Sequence, residues 1–190
     1  MLFNLVRSNR SFRRFNQSTE ISSELLYELI DLSRYTASAN NLQPLKYYLS
    51  NGKELNERIF SCLSWAAKIK EWNGPLEGER PSAYIVILGD NNISDKIDCD
   101  HGIVSQTILL GAVERGLGGC IIGSIDRKML RRVLDLDPRY DILLVIALGE
   151  PAERVVIETV GENGDISYWR DAAGVHHVPK RELKELILEP

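Results

Sequence analysis

Near the start of the chain, the run Arg7-Ser8-Asn9-Arg10-Ser11-Phe12-Arg13-Arg14-Phe15 holds four arginines, two serines and two phenylalanines. A guanidinium is always charged and presents its donors as a planar fork that fits a phosphate in pairs. A serine hydroxyl adds a short donor beside it. Phe12 and Phe15 packed inward would fix the backbone and aim the arginines outward. The chemistry this permits is capture of a phosphorylated cofactor, and the other reading of the same residues is a solvated basic arm. A second stretch, Ser38-Ala39-Asn40-Asn41-Leu42-Gln43-Pro44, is a short polar turn. Asn-rich turns also end helices with no further role. A third feature is the cation pair Lys180-Arg181 near the far end, which either closes over an anion or faces solvent.

Composition narrows the partners. At 190 residues the chain suits one domain with a substantial core. Its 44% apolar and 26% charged residues are those of an ordinary globular protein. The formal net charge of −4 argues against general nucleic-acid binding, so the arginine cluster is a local feature suited to a small anion. Cys62, Cys99 and Cys120 are three, widely spaced and without metal-binding spacing; free thiols in a reducing cytoplasm are expected. No apolar run approaches the ~20 residues of a membrane helix, and no secretory signal pattern opens the chain, so neither membrane nor export is expected. His101, His176 and His177 lack metal partners at ligand spacing and read as surface or structural residues.

The elements that must position these residues follow from periodicity. Leu2, Phe3, Leu5 and Val6 predict a short opening helix. Ser22 caps a helix through about Arg34, with Leu25, Leu29 and Leu32 beside Leu26 and Ile30 facing the core. The turn at 36–43 comes next, closed by Pro44, and Lys46–Leu49 reads as a strand. Gly52-Lys53 opens a helix with Leu55, Ile59, Leu63 and Ala66 on one face. Glu71 to Pro81, rich in Gly and Pro, is a loop, with Trp72 as an anchor or a lid. Ala83 to Leu88 is a buried central strand. Asp98 or Asp100 caps a helix to Gly116 that is apolar on more than one face.

Gly116-Leu117-Gly118-Gly119 follows a helix and opens a strand at Cys120–Ile122. A dinucleotide fingerprint has the reverse order, so the cluster is not one. Asp126 caps a helix through Leu134, and Ile142–Leu148 is another buried strand. Val155–Val160 extends, Ile166–Arg170 forms a hairpin strand, and Pro179 starts a last helix carrying Leu183, Leu186 and Ile187. After two opening helices, the alternation of strand and helix up to the strand at 142–148 reads, as a pattern, as a parallel α/β sheet.

The arginine run, the polar turn and the C-terminal cations together resemble the FMN-dependent nitroreductase family. That family carries Arg-Ser-x-Arg-x-Phe near its start, matched by Arg10, Ser11, Arg13 and Phe15. Its turn Ser-Gly-x-Asn-x-Gln-Pro-Trp is similar to Ser38 through Leu45, with Ala39 and Leu45 replacing Gly and Trp. Gly116-Leu117-Gly118, Ile122-Gly123 and Leu148-Gly149-Glu150-Pro151 add to the likeness, while Asn9 stands where the family often has Arg.

The resemblance implies an α+β fold with a central, mainly antiparallel sheet flanked by helices. It implies one nitroreductase-like domain over 1–190, built as a homodimer, with 152–190 as a C-terminal extension packing on the partner subunit. It implies FMN as cofactor and an NAD(P)H-dependent oxidoreductase, passing hydride through flavin N5 to a nitroaromatic, quinone or similar acceptor by a ping-pong mechanism. Reductive dehalogenation, flavin breakdown and non-catalytic flavin binding are the alternatives. By the same resemblance Arg10 and Ser11 hold the phosphate, and Lys180 or Arg181 closes over it. Arg13 lies at the N1/C2 edge of the flavin ring. Ala37, Ser38 and Asn41 of the other subunit meet the pyrimidine edge, supported by Gln43, and the backbone at Ile122-Gly123 lies near N5. No side chain is required as acid, base or nucleophile.

Overall fold

The computed structural model describes residues 1–66, 68–69 and 72–188. The expected loop from Glu71 to Pro81 therefore begins outside the described residues.

The centre is one sheet of β1 (Phe15–Asn16), β2 (Leu45–Ser50), β3 (Ala83–Asp90), β4 (Gly118–Ile122) and β5 (Tyr140–Pro151), and every pairing in it is antiparallel. β3 is buried along its whole length, so its side chains alternate between two cores. Tyr84, Val86 and Leu88 join Val145 and Ala147 of β5 on one face. Ala83, Ile85 and Ile87 join Ile146 and Leu148 on the other. The first face is covered by Ile59 of α3 (Lys53–Phe60) and Leu130 of α5 (Arg127–Val133). The second is covered by Leu26 and Leu29 of α2 (Ser23–Ser33) and by Val104, Ile108 and Leu109 of α4 (Asp100–Glu114). Each fully buried branched side chain contributes roughly 1.5–3 kcal/mol, so this two-sided burial dominates the stability.

The parallel sheet that alternation suggests is thus not formed. A strand covered by helices on both faces reads as a continuous apolar run whichever way its neighbours point. α1 (Leu2–Ser8) leads into the arginine run. Ser22 caps α2, its hydroxyl accepting from the Leu25 N–H at 3.2 Å, and the Asp126 carboxylate caps α5 by accepting from the Met129 N–H at 2.9 Å. The α2 stripe is rotated from expectation: Leu26, Leu29 and Ser33 are buried and Leu32 is exposed.

Beyond β5 the chain makes a second, three-stranded sheet. β6 (Val155–Thr159) pairs in parallel with β8 (His176–Lys180), and β7 (Trp169–Arg170) pairs with β8 antiparallel. Pro179 does not start a helix. It lies in β8, beyond the two residues that β7 reaches, where a missing N–H is tolerated. A single 3₁₀ turn, Leu183–Glu185, follows in place of the expected helix. Of the expected strand at 166–170 only Trp169 and Arg170 pair. No described helix is long and apolar enough to cross a membrane. Cys62 and Cys120 are buried free thiols and Cys99 is exposed.

Candidate functional site

Two phenyl rings pin the arginine run to the sheet. Phe15 is fully buried against Gly149, where an added Cβ would meet its ring at 2.7 Å, and Phe12 sits closer still over Gly118. The Phe12 N–H donates to the Gly119 carbonyl at 3.0 Å, and the Ala152 N–H donates to the Arg14 carbonyl at 2.9 Å. The backbone between the rings is therefore fixed, and the side chains of Arg10 and Arg13 project beside the end of β4.

Arg10, Ser11, Arg13 and Lys180 line one cleft of about 320 Å³, together with Ile121, Tyr168 and His176. Arg10 donates one bond, to the Val6 carbonyl at 2.9 Å, and its Nε is shielded from water without a partner. Burial lowers its pKa, because the charge is poorly solvated there. Arg13 donates to the Ser11 carbonyl at 3.2 Å, its Nη1 stands 3.3 Å from His176 Nε2, and its guanidinium lies 5.0 Å from the centre of the Tyr168 ring. His176 is buried, which, with the neighbouring Arg13 cation, brings its pKa down to about 4. It is neutral near pH 7 and can accept from Arg13.

A smaller cleft of about 210 Å³ adjoins, sharing Arg13, Ile121 and Tyr168 and adding Ile122, Gly123 and Trp65. Arg10, Ser11, Arg13, Ile122, Gly123 and Lys180 are thus brought to one region of a single protomer. Arg181 points elsewhere and pairs with Glu185 at 3.2 Å. Trp72 and Trp169 line neither cleft: Trp72 packs on the core under the Arg170 guanidinium, and Trp169 stacks on His177 with ring centres 4.1 Å apart.

The polar turn builds a different cleft. Ala37, Ser38 and Gln43 line a hollow of about 530 Å³ with Tyr47 and Asp100, and this hollow shares no residue with the other two. The Ser38 hydroxyl donates to Asp100 at 2.6 Å and accepts from the Gln43 N–H at 2.9 Å, while the Ala39 N–H donates to Asp100 at 3.1 Å. The single donor of Ser38 is therefore committed within its own chain. Gln43 Nε2 donates to the carbonyl and the side-chain oxygen of Asn41 at 3.2 and 3.1 Å. Asn40, Asn41 and Gln43 all adopt left-handed backbone, with φ of 50°, 56° and 52°. Three such residues in four positions store strain of the kind that gathers at functional sites.

The model of the family described as "Nitroreductase family" matches residues 6–150, from within α1 almost to the end of β5. The chain belongs to the nitroreductase family. Among relatives, MhqN of Bacillus subtilis (strain 168), provisionally named an NAD(P)H nitroreductase, is 24% identical over 188 residues, covering 77% of this chain and 86% of its own. The crystal structure of ydfN from Bacillus subtilis, provisionally named a nitroreductase, superposes with a TM-score of 0.70 at 18% identity, covering 88% of this chain and 98% of that one. An FMN-dependent nitroreductase from Clostridium difficile R20291 gives a TM-score of 0.65 at 21% identity, with 80% and 88% covered. The nitroreductase fold is the shared property, and the tail after residue 150 lies outside the family match.

Glu153, Asp100, Tyr168 and His176 were not singled out by sequence as site residues. Glu153 reaches Arg13 across 140 positions and Asp100 reaches Ser38 across 62, separations at which no local pattern signals a contact.

Proposed function

We propose that this nitroreductase-family chain is an FMN-dependent oxidoreductase that passes hydride from NAD(P)H to a nitroaromatic, quinone or similar acceptor by a ping-pong mechanism. One observation carries the reading. The side chains of Arg10, Arg13 and Lys180 converge on one cleft, none of the three charges forms a salt bridge to a carboxylate among the described residues, and the shielded Nε of Arg10 lacks any partner. A phosphate supplies the acceptors that this set lacks.

When bound, FMN supplies the hydride chemistry. Arg10, Ser11 and Lys180 would hold its phosphate. Arg13, fixed by Ser11, His176 and Tyr168, would present a cation to the N1/C2 edge, which favours uptake of negative charge there. Ile122 ends β4 and Gly123 follows it, both lining the smaller cleft with Arg13. A Cβ on Gly123 would meet only the Leu144 side chain, at 3.8 Å, so the position is open to a flat ring.

The reading includes a cytoplasmic homodimer in which Ala37, Ser38, Asn41 and Gln43 of one copy complete the site of the other. The separation of the hollow lined by Ala37, Ser38 and Gln43 from the arginine cleft supports this. Ser38 would then shape the turn through Asp100, leaving the Asn41 amide to meet the pyrimidine edge. The tail strands through Lys180 fold back on the arginine run of their own protomer, so of the expected extension 152–190 it is the stretch after Lys180 that would reach the partner. The open outer edge of β2 and the exposed Leu183, Leu186 and Leu188 give such an exchange something to cover.

The test is the visible spectrum of the purified protein mixed with FMN. The expected result is a bound flavin bleached by anaerobic NADH or NADPH and restored by a nitroaromatic or a quinone. Protein that stays colourless in FMN overturns the reading.

A further inference from the structure

The Glu153 side chain is 1% exposed, and a carboxylate so deeply buried must be fully partnered. Its Oε1 accepts from the backbone N–H of Arg13 at 2.5 Å and of Arg14 at 3.1 Å, and its Oε2 accepts from Arg170 at 2.6 Å. Arg170 in turn lies with its guanidinium 4.6 Å from the centre of the Trp72 ring. One carboxylate thus joins three separate pieces of chain: the arginine run before β1, the turn between β5 and β6, and β7.

The way the charge is spent matters. Glu153 makes no ion pair with the Arg13 guanidinium; among the described residues its salt bridge is to Arg170. Binding the Arg13 amide fixes where the side chain starts without neutralising the charge at its tip. A carboxylate on the tip would compete with an anionic ligand, whereas a carboxylate on the amide leaves the cation available. Tyr168 and His176, carried by the tail that Arg170 anchors, then set the direction of the guanidinium.

We infer that Glu153 is a positioning residue of the flavin site: through the Arg13 amide and Arg170 it holds the Arg13 guanidinium and the tail strands in register at the cofactor's N1/C2 edge. This rests on the FMN reading above. Tail and arginine run then form one clamp, and its key is a residue that touches no ligand.

The experiment is a double-mutant cycle on the FMN-loaded protein with Glu153→Gln, Arg13→Met and the pair. The readouts are the FMN dissociation constant and the midpoint potential of the bound flavin. Arg13→Met is expected to weaken FMN by about tenfold, the scale of a lost charged hydrogen bond, and to lower the potential. Glu153→Gln is expected to shift both in the same direction. The double variant should go little beyond Arg13→Met alone, because the two residues act through one group. Additive shifts, or a Glu153→Gln protein with wild-type affinity and potential, overturn the inference and leave the flavin reading standing. Wild-type protein that binds no FMN overturns both. Circular dichroism checks the fold of each variant. If Glu153→Gln unfolds, the cycle is run with Arg170→Lys, which keeps a cation for Glu153 but changes its geometry, and the same criteria apply.

Discussion

Asp100 should be the anchor of the strained turn, and its removal should cost more than any propensity argument predicts. The side chain is 3% exposed at the first turn of α4 and accepts from the Ser38 hydroxyl and the Ala39 N–H. Hydrogen bonds to a charged acceptor contribute about 1.5–3 kcal/mol each. A carboxylate in the first turn of a helix gains about 0.3–1 kcal/mol more from the macrodipole. Asp100→Ala removes both bonds, and the left-handed residues Asn40, Asn41 and Gln43 then lose the contact that holds them in place. Part of the loss is recovered as the turn relaxes and its donors reach water, so the expected net cost is about 3 kcal/mol. Asp100→Asn keeps one acceptor oxygen and should cost about 1–2 kcal/mol. Urea unfolding followed by tryptophan fluorescence measures both. An Asp100→Ala protein within about 0.5 kcal/mol of wild type, a difference typical of an exposed site, refutes the reasoning. Equal losses for Ala and Asn refute the part that rests on the carboxylate.

Gly149→Ala should cost more than about 2 kcal/mol, because its new methyl would meet the Phe15 ring at 2.7 Å inside a filled core; chemical denaturation measures it. Asp135→Gly should gain about 0.5–1 kcal/mol, since Asp135 is exposed and left-handed, with φ 48°, just beyond α5; the melting temperature should rise. The two adjacent histidines should respond oppositely to pH. His177 is held between Glu158 and Asp171, which raise its pKa, so its contribution is present in acid and lost as pH rises through that raised value. His176 is neutral when folded but takes up a proton in the unfolded chain near 6.5, so stability should fall as pH drops from about 6.5 toward about 4. Imidazole resonances followed by NMR should show one titration above the ordinary value and one well below it.

Local chemistry made much of this legible. Ser22 and Asp126 announce their helices because a capping side chain acts over three residues. The apolar run at 83–88 announces β3, and the pairing of Phe12 and Phe15 with the arginines announces a pinned loop. What local chemistry does not carry is direction and distance. Nothing in β3 says that its neighbours run antiparallel, since helices cover both of its faces. Pro179 carries a helix-start signal that the parallel pairing of β8 with β6 overrides. Glu153 and His176 look like surface residues until the tail folds back on the arginine run, when both become buried.

β5 lies at the junction of everything else. One edge takes β3 for most of its length, and the other takes β4 and then β1, while alternate side chains feed the two apolar layers. Neither layer can melt while its neighbour survives, because both lose the same backbone. Heating should therefore produce one calorimetric peak for the main sheet and its helices, and the last amides to exchange with deuterium should be those of 144–148.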